Sequence, residues 1–203
     1  MKGFNYLKKA LFSLFVLFSF NLNAVEENIA EKVNILGEPD APNILVEYAS
    51  LSCVHCANFH NEKLPEIKDK LITTGKLKYI YKDFPLDLPS MLASMVARCY
   101  EGEQFYSILN SFFINQKKWV TASNNRENLF KSFHQILKQH GVTEERIKVC
   151  AAENELNKKK WNSILASRLE GQKLGVNSTP SFILNGKKLE GPVDLQMLLK
   201  HIY

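Results

Sequence analysis

The stretch YASLSCVHCANFH, Tyr48 to His60, sets two cysteines with two residues between them directly after one kind of local pattern and directly before another. Upstream, NILVEYAS (Asn43 to Ser50) is a β-branched and aromatic run that follows the turn-forming GEPDAP, and it reads as a buried strand. Downstream, ANFHNEKLPEIKDKLITTG carries Phe59, Leu64, Ile67 and Leu71 at helical spacing. Pro65 predicts a kink in that helix and Gly75 its end. KLKYIYKDFPL then alternates with period two, so the pair Cys53 and Cys56 sits at the junction of a strand–helix–strand unit.

Beyond this unit the texture changes. From Ser90 to about Lys173, apolar residues recur at i, i+3 and i+4, which predicts four or five helices. The last thirty residues return to strand character in PSFILNG and KKLEG, and the Asn185-Gly186 dipeptide between them signals a hairpin. PVDLQMLLKHIY predicts a short closing helix. Neither sheet-forming part is large enough to stand alone. The expected architecture is therefore α/β, a sheet packed by helices and carrying a helical insertion over about residues 90–173.

The N-terminal 24 residues belong to another object. Lys2, Lys8 and Lys9 precede an apolar run from Ala10 to Phe20, and NLNA follows, which predicts a secretory signal peptide cleaved before Val25. A run of eleven residues falls short of a membrane span, and no cysteine stands near the cleavage point to accept a lipid. The expected mature chain is residues 25–203, exported to the periplasm. Without the three signal lysines the formal charge falls from +5 to +2 (23 Lys and Arg against 21 Asp and Glu), so the basic balance argues for no nucleic-acid partner. All four cysteines, Cys53, Cys56, Cys99 and Cys150, lie in the mature part; an even count in an exported chain suggests disulfides, with three pairings open.

At the start of a helix, unsatisfied N–H groups and the macrodipole favour negative charge. Cys53 there is expected to be a stabilised thiolate, the attacked sulfur of a redox pair, with Cys56 the inner resolving thiol and His55 a partly positive neighbour. A metal site is the rival: Cys53, Cys56 and His60, with His55 nearby, offer sulfur and nitrogen ligands, but no second ligand pair follows. Haem attachment fails because Ala57, not histidine, follows Cys56. A structural staple is disfavoured by so short a loop. His134, His140 and His201 lie on helical stretches without catalytic company. Phe105, Tyr106, Phe112 and Phe113 fit a core stripe, and Trp119 and Trp161 are candidates to line a surface groove.

VEYASLSCVHCANFH together with GVNSTPSFILNG resembles the DsbA-like thiol–disulfide oxidoreductases, thioredoxin-fold proteins with a helical insertion. The resemblance runs in order over nearly the whole mature chain. It implies that Thr179-Pro180 is a cis-proline loop facing the cysteines and pairing with a substrate peptide. It places Glu47 as a buried acid beneath the disulfide, moving protons to and from Cys56. Val54 stands where the best-known members have proline, and Thr179 where strong oxidases often have valine; both bear on oxidising strength. Some members carry a second disulfide in the insertion, and Cys99–Cys150 is expected to be one. The implied function is to introduce disulfides into exported polypeptides as a monomer, without metal or organic cofactor, recharged by a quinone-linked membrane partner of the DsbB type. A disulfide isomerase or reductase of the same fold, a metal-binding module and a thiol-independent chaperone are the alternatives.

Overall fold

The computed structural model describes residues 33–202, all within one unit, Glu31–Tyr203. The expected signal segment over residues 1–24 lies outside the described residues. Five strands form one mixed sheet: β1 (Ile35–Leu36), β2 (Asn43–Ala49), β3 (Leu77–Asp83), β4 (Ser181–Leu184) and β5 (Lys187–Lys188), in the order β1-β3-β2-β4-β5. β2 lies centrally, parallel to β3 and antiparallel to β4. This explains why its sequence is apolar on both faces rather than alternating.

After β2 the chain enters α1 (Val54–Asn58), a π-helical turn (Phe59–Lys63), α2 (Leu64–Ile67) and a second π-helical turn (Lys68–Ile72). Pro65, where the sequence predicts a kink, stands in the first turn of α2, directly after the first of these widened turns. Proline cannot donate a helical hydrogen bond, and a wider turn takes up the misfit. The first π-turn also lets two consecutive residues, Phe59 and His60, both face inward.

Between β3 and β4 lie α3 (Leu88–Ala97), α4 (Gly102–Ile114), α5 (Gln116–Thr121), α6 (Arg126–Leu137), α7 (Glu144–Cys150) and α8 (Glu155–Lys173); α9 (Leu195–Leu199) follows β5. The insertion thus has six helices rather than four or five. It also begins before Ser90, because the Asp87 carboxylate caps the Ser90 N–H in a reciprocal capping box. The long pattern from Thr143 divides where Asn154 caps a new helix at Asn157 N–H.

The insertion is clamped to both faces of the sheet. On one face, Leu45, Ala49, Tyr79, Tyr81, Phe182 and Leu184 join a core with α4, whose Tyr106 Oη donates to Tyr79 O at 3.1 Å. On the other, α8 crosses Tyr48 so closely that a β-carbon on Gly171 would lie 2.8 Å from the ring. Trp119 is fully buried, its indole N–H donating to Phe112 O, so it belongs to the core and not to a surface groove. Trp161 does line a groove, of about 750 Å³, with residues of α3 and α6. Asn185 and Gly186 have φ of 49° and 80°, the conformation a two-residue hairpin turn requires.

Candidate active site

β2 ends at a turn closed by Cys53 N–H donating to Ser50 O at 3.0 Å. Cys53 has extended backbone angles and precedes α1, and its carbonyl accepts from Ala57 N–H. Its sulfur therefore stands at the open end of the helical run. Both cysteines are free thiols. Cys53 is 8% exposed and Cys56 is 0% exposed, so an incoming sulfur can reach only the first.

The two thiols are polarised in opposite directions. A hydrogen bond from the Cys56 thiol is the main cause that lowers the Cys53 pKa to about 5. Burial opposes it, and the Thr179 hydroxyl and the backbone N–H groups of Cys56 and His55 add to it. Burial is the main cause that pushes the Cys56 thiol far up, followed by its hydrogen bond to Cys53 and the nearby Glu47 carboxylate. One sulfur is held as a thiolate, the other as a thiol.

Residues 126 positions apart meet because β4 pairs with β2. Ser181 lies opposite Tyr48, which brings the preceding loop beside the end of β2. The Thr179-Pro180 bond is cis, and in the thiol form Cys53 donates to Thr179 O at 3.3 Å. Thr179 Oγ1 is buried without a partner in that form, which leaves its hydroxyl free to turn to a thiolate. A groove of about 310 Å³, lined by His55, Phe59, Pro180, Phe182 and Pro192, runs along this side. His55 is exposed at its rim; what it gives Cys53 is its backbone N–H.

Glu47, in the middle of β2 and opposite Tyr81 and Phe182, is fully buried. Its Oε2 accepts from Tyr79 Oη and lies 2.9 Å from His60 Nε2, while Oε1 has no partner. His60 stacks on Phe113 with ring centroids 3.9 Å apart. The residue weighed as a metal ligand is thus turned onto Glu47. Among the described residues, no group of three or more His, Cys, Asp or Glu side chains is placed to hold a metal ion.

Sequence reasoning missed Gln116. Its buried Nε2 donates to Leu51 O at 2.7 Å and Cys53 O at 2.9 Å, tying the insertion to the cysteine turn. No local signal marks it: a glutamine opening a polar helical stretch is ordinary. Cys99, in the turn after α3, and Cys150, at the end of α7, are joined by a disulfide, with Lys160 Nζ 3.0 Å from Cys99 Sγ. Of the other histidines, His140 Nε2 meets Ser111 Oγ at 2.7 Å and His201 Nδ1 meets Met197 O at 2.9 Å.

The thioredoxin family model matches residues 30–203. A protein of Rickettsia conorii named as a protein-disulfide oxidoreductase is 33% identical over 158 residues, covering 75% of this chain and 53% of that one. Its namesake in Rickettsia bellii is 29% identical over 162 residues, covering 80% and 60%. The chain therefore spans a little over half the length of these curated relatives. Among solved structures, Wolbachia pipientis alpha-DsbA1 is 30% identical, covers 84% of this chain and 89% of its own, and superposes with a TM-score of 0.72.

Proposed function

The chain belongs to the DsbA-like members of the thioredoxin family, and on that premise we propose that it is an exported oxidase that donates disulfide bonds to cysteine-containing polypeptides. The observation that carries this reading is the opposed polarisation of the pair, Cys53 as thiolate and Cys56 as thiol. A stabilised thiolate stabilises the reduced protein, and that makes the oxidised form a stronger oxidant.

The cycle follows from these positions. A substrate thiolate attacks Cys53 Sγ, the Cys53–Cys56 bond breaks, and Cys56 leaves as a thiolate that takes up a proton. The substrate's second thiolate then attacks its own sulfur in the mixed disulfide and expels Cys53, whose low pKa makes it a good leaving group. Two electrons pass from substrate to protein, and the substrate gains the disulfide. The Thr179 backbone beside the cis-proline is available to hydrogen-bond the substrate as an added strand does. A DsbB-type membrane partner, linked to quinone, restores the disulfide. The support for that partner, for a monomer and for the periplasm is the family resemblance and the signal-like N-terminus. One observation favours a second reading: Thr179 before the proline is shared with members that isomerise disulfides.

Equilibration of the purified protein with glutathione, read by intact mass, tests the proposal. An oxidase should have a potential nearer that of DsbA, about −120 mV, than that of thioredoxin, about −270 mV. A thioredoxin-like value would transfer the assignment to a reductase of the same fold.

A further inference from the structure

The groove of about 750 Å³ on the insertion shares no lining residue with the one along His55 and Pro180. Its apolar lining comes from Leu92 and Met95 of α3, Leu129 of α6 and Trp161 of α8, and from Leu88, which is 60% exposed. The charged groups along its wall offset one another: Arg126 lies 3.7 Å from Glu153, and Lys158 lies 3.9 Å from Glu155. Two asparagines add polar capacity. Asn125 and Asn154 each commit Oδ1 to a helix N-terminus, at Asn128 N–H and Asn157 N–H, and keep Nδ2 to donate. An apolar trough without net charge and with amide donors on its walls suits a polypeptide segment. The trough buries apolar side chains, and the amides satisfy backbone carbonyls.

Two routes join this groove to the cysteine turn. On one, the Ser50 carbonyl accepts from Cys53 N–H at 3.0 Å and the Ser50 hydroxyl from Leu86 N–H at 3.3 Å. Leu86 is 51% exposed, and Leu88 opens α3 two residues further on. On the other, α5 begins with Gln116 bonded to Cys53 O and ends two residues before Ser123, which lines the groove. The six residues of α5 span about 9 Å, and the step to Ser123 adds at most about 7 Å. We propose that the groove between α3, α6 and α8 is a second docking site for the polypeptide whose cysteine reacts at Cys53, and that it seats an uncharged apolar segment about five residues from that cysteine. The inference rests on the redox reading above and gives it a substrate class: chains in which a large apolar side chain stands at that distance from a cysteine. The groove holds the chain by side chains and backbone carbonyls on one flank of Cys53, while the Thr179 backbone meets it on the other.

Single-cysteine peptides test it against the oxidised protein: one polar throughout, one with Leu-Phe five residues before the cysteine, and one with Leu-Phe five residues after it. The initial rate of mixed-disulfide formation is read by intact mass. Burial of a large apolar side chain should make one of the two apolar peptides react roughly tenfold faster than the polar one, and which one reports the direction of the bound chain. In Leu88→Glu, which sets a carboxylate beside the apolar segment, that ratio should fall to about twofold or less. Trp161→Gln should lower it likewise. Equal rates for all peptides in the wild type would overturn the proposal. A shift of tryptophan emission by phosphatidylglycerol vesicles, lost in Trp161→Gln, would then give the groove to acyl chains. An undiminished ratio in folded Leu88→Glu would also overturn it and would place the apolar contact along Pro180. If Trp161→Gln fails to fold, Leu88→Glu, changed at an exposed position, decides alone. Failure of the redox reading is seen separately, as a wild-type protein that forms no mixed disulfide with any peptide or with glutathione.

Discussion

Because Cys53 and Cys56 titrate on opposite sides of neutrality, the potential of the pair should change slope near pH 5. Above that pH, reduction consumes two electrons and one proton, since Cys53 stays a thiolate and Cys56 a thiol. Below it, two protons are consumed. The potential should therefore fall by about 30 mV per pH unit above pH 5 and by about 59 mV per unit below it. The Cys53 pKa is depressed by folding, so the stability it gives the reduced protein is fully present above the unfolded thiol value of about 8.5. That stability declines as pH falls, and it is gone below about 5. At pH 7, full linkage amounts to about 2.7 kcal/mol. Cys53 is 8% exposed at the mouth, and the solvent that reaches it screens this to roughly 2 kcal/mol. Iodoacetamide alkylation against pH reads the thiolate directly, and glutathione equilibria at several pH values read the slope. An alkylation midpoint near 8.5, with the steeper slope persisting through neutrality, would refute the reasoning.

Three further outcomes follow from the packing. Gln116→Leu leaves the Leu51 carbonyl without its donor and should cost about 1–3 kcal/mol, read as a Tm drop of about 2–4 °C per kcal/mol. Arg98→Leu strands the buried Asp83 carboxylate that its Nε now pairs, and should cost about 3–5 kcal/mol. Denaturant midpoints should show Arg98→Leu/Asp83→Leu less destabilised than the single change. Cys99→Ala/Cys150→Ala opens a loop with a sequence separation of 51 and should cost about 4 kcal/mol, measured on the protein under oxidising conditions, while Cys53 and Cys56 continue to exchange with glutathione.

What was legible in the sequence was whatever short-range pattern dictates. The β2 run, the period-two β3 and the Asn185-Gly186 turn each carry their structure locally, and so does the placement of Cys53 at the junction. The helical insertion was legible as a block, but its divisions were not. The break before α8 depends on the Asn154 cap, and an asparagine inside a polar stretch gives no sign of that use. Glu47 was placed by family resemblance. Its partners His60 and Tyr79 lie 13 and 32 positions away and come together only through β2–β3 pairing and the π-turn at Phe59–Lys63. The same long range hid Gln116, 63 positions from Cys53, and the pairing of Arg98 with Asp83 across the β3–α3 connection. Trp119 looked available for a groove because a six-residue helix has too short a pattern to show that its tryptophan faces the core.

The most direct measurement is disulfide transfer itself. Oxidised protein is mixed with a reduced peptide carrying two cysteines, quenched with acid, and weighed intact beside its Cys56→Ser variant held as a Cys53 mixed disulfide. The expected result is a peptide lighter by two hydrogens, a protein heavier by the same two, and a trapped peptide adduct mapping to Cys53. A peptide that stays reduced while the Cys53–Cys56 bond remains intact would contradict the assignment of this pair as a disulfide donor.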